Sequence, residues 1–101
     1  MRRIFWSEGA RRDYLDILRF IAADDADAAH RVAEEIDRTV NDLGTFATGR
    51  PGRVAGTYEK SVARLPYIIA YALQKAAAED RVVILRVIHG ARHWPEESWP
   101  Q

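Results

Sequence analysis

Apolar positions along this chain change their spacing twice, and each change marks an element boundary. Residues 2–6 read as a short strand, with Arg3 and Phe5 on one side and Ile4 and Trp6 on the other. Ser7 fits a helix N-cap, and Glu8 follows in the first turn, where the helix dipole favours an anion. Beyond it, Ala10, Tyr14, Ile17, Leu18 and Ile21 recur at helical spacing, leaving Arg11, Arg12, Asp13, Asp16 and Arg19 outward. Asp24 and Asp25 break this helix and can cap the next. In that second helix Ala29, Val32, Ala33, Ile36, Val40 and Leu43 form one stripe. Gly44 follows the last apolar position, where a left-handed C-terminal residue is expected. The short link between the helices predicts an antiparallel hairpin. Leu18 and Ile36 are read as core positions whose truncation to alanine costs about 2–5 kcal/mol.

The period then shortens. Residues 45–56 hold Gly49, Pro51, Gly52 and Gly56 and cannot be helical. Residues 57–65 alternate, with Tyr58, Lys60, Val62 and Arg64 sharing one face and Glu59 on the other. Pro66 marks a turn. Tyr67 to Leu73 is a second strand of this half, residues 75–80 (KAAAED) read as a polar connection, and Val82 to His89 is a third strand, closed by Gly90. The predicted order is βααβββ: an α+β fold in which the N-terminal strand and helical hairpin pack on one face of an antiparallel sheet. The opposite face is then left open or covered by a partner.

With 101 residues the chain is read as a single domain, residues 1–101. It has no cysteine, which excludes a disulfide framework and a cysteine-ligated zinc site and fits a cytoplasmic location. No apolar run approaches the about 20 residues that span a bilayer, and the N-terminal arginines are not followed by an apolar stretch of the secretory kind. No membrane association is expected. Net charge is zero but unevenly placed: residues 1–44 hold 7 basic and 10 acidic groups, residues 45–95 hold 8 basic and 3 acidic. The second half is a cationic unit suited to an anionic partner.

The sharpest anomaly is Arg86 inside the run VVILRVI (82–88). By strict alternation it shares a face with Val82, Ile84 and Ile88. A guanidinium buried without a partner is strongly unfavourable, so it must lie on the open face or reach a carboxylate, with Glu59 a candidate. The open-face reading groups Arg53, Lys60, Arg64 and Arg86 into a cationic patch, with Arg92 and Trp94 beside it, and expects Arg86→Ala to change binding more than stability. His89 and His93 lie near the strand's end, but no ligand cluster accompanies them, so neither metal nor cofactor is expected. No phosphate-binding loop, dinucleotide fingerprint or nucleophile elbow occurs.

Five segments in order carry a resemblance. They are W-S-x-x-A-x-x-D-Y-L-x-I (Trp6 to Ile17), A-A-x-x-V-A-x-x-I (Ala28 to Ile36), G-R-P-G-R-V-x-G-T-Y-E (Gly49 to Glu59), L-P-Y-I-I-A-Y (Leu65 to Tyr71) and I-L-R-V-I-H-G-A-R-H-W-P (Ile84 to Pro95). Together they resemble the RelE/ParE superfamily of bacterial toxins from type II toxin–antitoxin modules, also described as plasmid-stabilisation proteins. The resemblance implies a βααβββ fold and a toxin that arrests growth and is neutralised in a hetero-oligomer by a cognate antitoxin. Its ParE-like branch implies action on DNA gyrase without catalysis. Its RelE-like branch implies a metal-independent, ribosome-dependent messenger RNA endoribonuclease, for which Arg64, Arg86, His89 and Arg92 are the candidate catalytic residues here. Zero net charge, only two lysines (Lys60 and Lys75) and a tail, PEESWPQ, without tyrosine favour the ParE-like branch.

Overall fold

The computed structural model describes residues 2–76 and 79–90. Strand β1 (Arg3–Trp6) leads into helices α1 (Glu8–Ala22) and α2 (Ala26–Thr45). The chain continues through strands β2 (Arg50–Pro51), β3 (Tyr58–Ser61), β4 (Tyr67–Ala76) and β5 (Glu79–His89). Both helix starts follow the caps anticipated from sequence. The Ser7 hydroxyl accepts from Ala10 N–H, and Asp25 Oδ1 accepts from Ala28 N–H, each at 3.0 Å. Each bond satisfies one of the donors that a helix N-terminus leaves open.

The sheet order is β1-β5-β4-β3-β2. The sheet is mixed rather than wholly antiparallel, because β1 runs parallel to β5, with Arg3 opposite Arg81 and Trp6 opposite Ile84. A parallel neighbour needs a long connection. Here that connection runs through the helical hairpin and strands β2 to β4, and the hairpin packs on the sheet. β2, two residues long, extends the sheet beyond the four strands read from periodicity, and its proline is tolerated because the strand lies at the edge. β4 and β5 also run further than their apolar cores suggest. The polar segment after Leu73 is paired strand, with Lys75 opposite Asp80 and Gln74 opposite Arg81.

The core lies between the hairpin and the sheet. Ile36, Val40 and Leu43 of α2 meet Ile69 and Tyr71 of β4 and Val82, Ile84 and Val87 of β5. Tyr14 of α1 packs edge-on against Trp6, ring centroids 5.3 Å apart, and its hydroxyl donates to Asp37 Oδ1 of α2 at 3.0 Å. Burial, then the hydrogen bond and charge of Asp37, push the Tyr14 phenol up to about 12, so it remains a donor across the physiological range. Gly44 is not a left-handed cap. It lies inside α2, where a Cβ would stand 3.0 Å from Arg2 O and 3.3 Å from Ile4 Cδ1, so glycine lets β1 approach the helix. Arg2 N–H accordingly donates to Gly44 O at 2.8 Å.

Tyr71 is fully buried, and its hydroxyl accepts from Gly49 N–H at 2.9 Å, tying the 46–49 segment to the sheet. Tyr71→Phe removes this acceptor and leaves the glycine donor unmatched. The expected loss is about 1–2 kcal/mol by chemical denaturation; an unchanged midpoint would show that water replaces the phenol.

Candidate functional site

The site begins with an irregularity in β5. Tyr71 pairs with Ile84, but the preceding residue Ala70 pairs with Arg86, so Leu85 is an extra residue in a β-bulge. One inserted residue exchanges the two faces. Val82 and Ile84 face the helices, and after the bulge Val87 does so, while Ile88 packs with Ala70 on the other side. Arg86 therefore does not share a face with Val82 and Ile84. Its pairing partner is Ala70, on the face away from the helices.

Nor is Arg86 bare there. β1 ends opposite Ile84, so among the described residues the edge of β5 beyond that point has no strand neighbour, and α1 packs against it. Ser7 N–H donates to Ile84 O at 2.9 Å and the Ser7 hydroxyl to Leu85 O at 3.0 Å. Asp13 Oδ2 accepts from Val87 N–H at 3.0 Å and from Arg86 Nε at 2.7 Å, while Asp13 Oδ1 accepts from Arg86 Nη2 at 3.1 Å. The two side chains are only 14% and 15% exposed. Asp13 does not face outward as the helical stripe suggested, and Arg86 is neutralised by Asp13 rather than by Glu59 or an external anion. The reason is geometric: an edge N–H and a nearby guanidinium both need an acceptor, and one carboxylate serves both.

Glu59 has its own cations. It is 5% exposed, and it accepts from Arg53 N–H and Nε at 2.9 Å each and from Arg53 Nη2 at 3.3 Å. Arg50 Nη2 stands 3.9 Å away. Burial alone would raise this carboxyl, but the hydrogen bonds from Arg53 and the charges of Arg53 and Arg50 outweigh it and hold Glu59 below its ordinary value. A folded pKa below the unfolded one gives stability that is full above about pH 4.5 and is lost as pH falls through the folded value. Glu59→Gln is therefore expected to be less stable than the parent by about 2 kcal/mol near neutrality. The difference should shrink on acidification, and a difference that grows in acid would contradict the assignment.

The predicted cationic patch is thus not assembled as one. Arg53 is paired with Glu59 and Arg86 with Asp13, the two pairs lying on either side of Ala70. Lys60 lies on β3, paired with Ile69 on the helix-facing side. Arg64 is not on β3 at all: that strand ends at Ser61, and Arg64 sits exposed in the turn to β4 with φ +62°, beside α2. His89 ends β5, edge-on to its partner Tyr67 with centroids 5.6 Å apart. Arg92 and Trp94, with His93, lie outside the described residues. Among the described residues no group of three or more His, Asp or Glu side chains could hold a metal ion, and no helix is long and apolar enough to cross a membrane.

Two surfaces were missed in the sequence. An apolar groove of about 390 Å³ runs between the C-terminal half of α1 and the end of the sheet, walled by Ile17, Phe20, Ile21, Tyr67 and His89. Phe20 is 79% exposed beside it. The second surface lies on the face away from the helices, at the opposite end of the sheet from Ala70 and Ile88. There the guanidinium carbons of Arg3 and Arg81 stand 5.5 and 5.0 Å from the centroid of the Phe5 ring. Alternation along β1 already put Arg3 and Phe5 on one side; only the parallel pairing with β5 brings Arg81 to them.

The chain matches the family model described as ParE toxin of type II toxin-antitoxin system, parDE, over residues 4–94. It is 40% identical over 96 residues to Y4kP, carried as a candidate toxin in Sinorhizobium fredii (strain NBRC 101917 / NGR234), covering 94% of this chain and 95% of that protein. Its fold is similar to a chain of the chromosomal ParDE toxin–antitoxin system from P. aeruginosa, with TM-score 0.76 and 22% identity, covering 88% of this chain and 96% of that one. It is also similar to a YoeB/ParE toxin from Agrobacterium tumefaciens, with TM-score 0.60 and 16% identity over 91% of this chain and 99% of that one. The match over nearly the whole length, with the mixed sheet and helical hairpin that accompany it, shows that the chain belongs to the ParE family of type II toxin–antitoxin toxins.

Proposed function

We propose that this toxin arrests growth by inhibiting DNA gyrase and is neutralised in the cytoplasm by a cognate antitoxin, with which it forms a hetero-oligomer. The observation that carries the reading is the Arg86–Asp13 pair. A ribonuclease of this fold needs cations available to the reacting phosphate, and the guanidinium at the centre of the candidate set is held by a carboxylate of its own chain. Arg64 projects from a turn beside α2, and His89 lies against Tyr67. Protein binding asks for something else: exposed apolar surface flanked by fixed charge. The groove beside Phe20 and the Arg3–Phe5–Arg81 surface both have that character.

The test uses purified components. The chain is added to a gyrase supercoiling reaction and, separately, to a translation reaction with message cleavage read by primer extension. Inhibited supercoiling with intact message is the expected result, relieved by the small protein encoded in the adjoining reading frame. Cut message with normal supercoiling would replace this reading with the ribonuclease one.

A further inference from the structure

Strand pairing places Arg3 opposite Arg81 and Phe5 opposite Val83, while the alternate pairs Ile4–Val82 and Trp6–Ile84 enter the core under the helices. Arg3, Phe5, Arg81 and Val83 therefore lie together on the other face, next to Ala72, the β4 partner of Val83. Phe5, Ala72 and Val83 are only half-buried. The result is an apolar strip with two guanidinium groups drawn toward one phenyl ring.

The charges here are incompletely matched. Glu79 Oε1 is 3.6 Å from Arg3 Nη1 and 3.5 Å from Arg81 Nε, so one carboxylate stands between two cations at long range. The Arg81 Nε is enclosed yet has no hydrogen-bond partner among the described residues. An enclosed donor without an acceptor is unfavourable, and a second carboxylate would relieve it. The ring restrains both arginines through cation–π attraction, so little side-chain freedom is lost when an anion arrives.

We infer that this face receives a segment of another protein carrying a carboxylate beside an apolar side chain, the carboxylate bridging Arg3 and Arg81 and the apolar group covering Phe5 and Val83. Resting on the reading above, that segment belongs to the antitoxin. A nucleic-acid backbone fits less well: Glu79 stands at the patch, where a track of phosphates would meet like charge, and the strip between the arginines is apolar.

The test is calorimetric titration of the purified chain with the antitoxin from the adjoining reading frame. Arg3→Glu and Arg81→Glu are each expected to weaken binding roughly tenfold, with a loss of salt dependence. Arg31→Glu, the same charge change on the exposed surface of α2, should stay within about twofold. Arg3 is exposed on a peripheral strand, so its variant carries the test should Arg81→Glu fail to fold. Equal effects at all three positions, or no effect at Arg3 and Arg81 with antitoxin binding intact, would overturn the inference and leave the functional reading standing. A short DNA duplex bound by the parent and lost in both variants, with antitoxin affinity unchanged, would also overturn it in favour of a polyanion surface. No antitoxin binding by the parent chain would remove the functional reading and this inference with it.

Discussion

Asp13→Ala is expected to destabilise the protein by about 3 kcal/mol, more than a charge change on a helix of this exposed character would suggest. The carboxylate makes two bonds to Arg86 and one to Val87 N–H, at a strand edge that no other strand covers among the described residues. Its loss removes two bonds from a largely enclosed guanidinium and one from a backbone donor together. Asp13→Asn keeps one acceptor and should recover part of the loss. Arg86→Ala is likewise expected to act on stability, contrary to the reading from alternation alone. Urea denaturation with a double-mutant cycle over Asp13 and Arg86 measures the coupling. A coupling below about 0.5 kcal/mol would mark the pair as an ordinary surface bridge.

Ile36→Ala is expected to cost about 4 kcal/mol, and Leu18→Ala about half of that or less. Both residues sit on apolar stripes at helical spacing. Ile36 is 0% exposed and meets β4 and β5, so its truncation leaves a cavity bounded by the sheet. Leu18 is only half-buried and lies outside that cluster, where solvent and neighbours can close the gap. Thermal and chemical denaturation of the two variants check the ratio. Equal losses would mean that α1 packs more deeply than its burial indicates.

Legibility followed the range of the physics. The caps at Ser7 and Asp25, the two helical stripes and the strands around Tyr67 and Val82 depend on neighbours within a few residues, and they could be read directly. Gly44 shows the limit of such reading. A glycine at a helix end is ordinarily a left-handed cap, whereas here it makes room for β1, a contact between residues 40 positions apart in sequence. Arg64 shows another: alternation extended β3 past Ser61, but the chain turns before it, and the face assigned to Arg64 does not exist.

The candidate site was less legible than the fold because its decisive feature is a single inserted residue. Strict period-two counting puts Arg86 with Val82 and Ile84. The bulge at Leu85 reverses that, and nothing in VVILRVI signals it, since every residue there except arginine suits either face. The sequence by itself determined the element types, the apolar faces of both helices and a family likeness spread over the whole chain. Which cations meet a carboxylate of their own and which remain turned to solvent was decided only by tertiary structure. That choice depends on the register between strands and on the parallel docking of β1 against β5, and contacts across more than 70 residues of sequence leave no local periodicity to read.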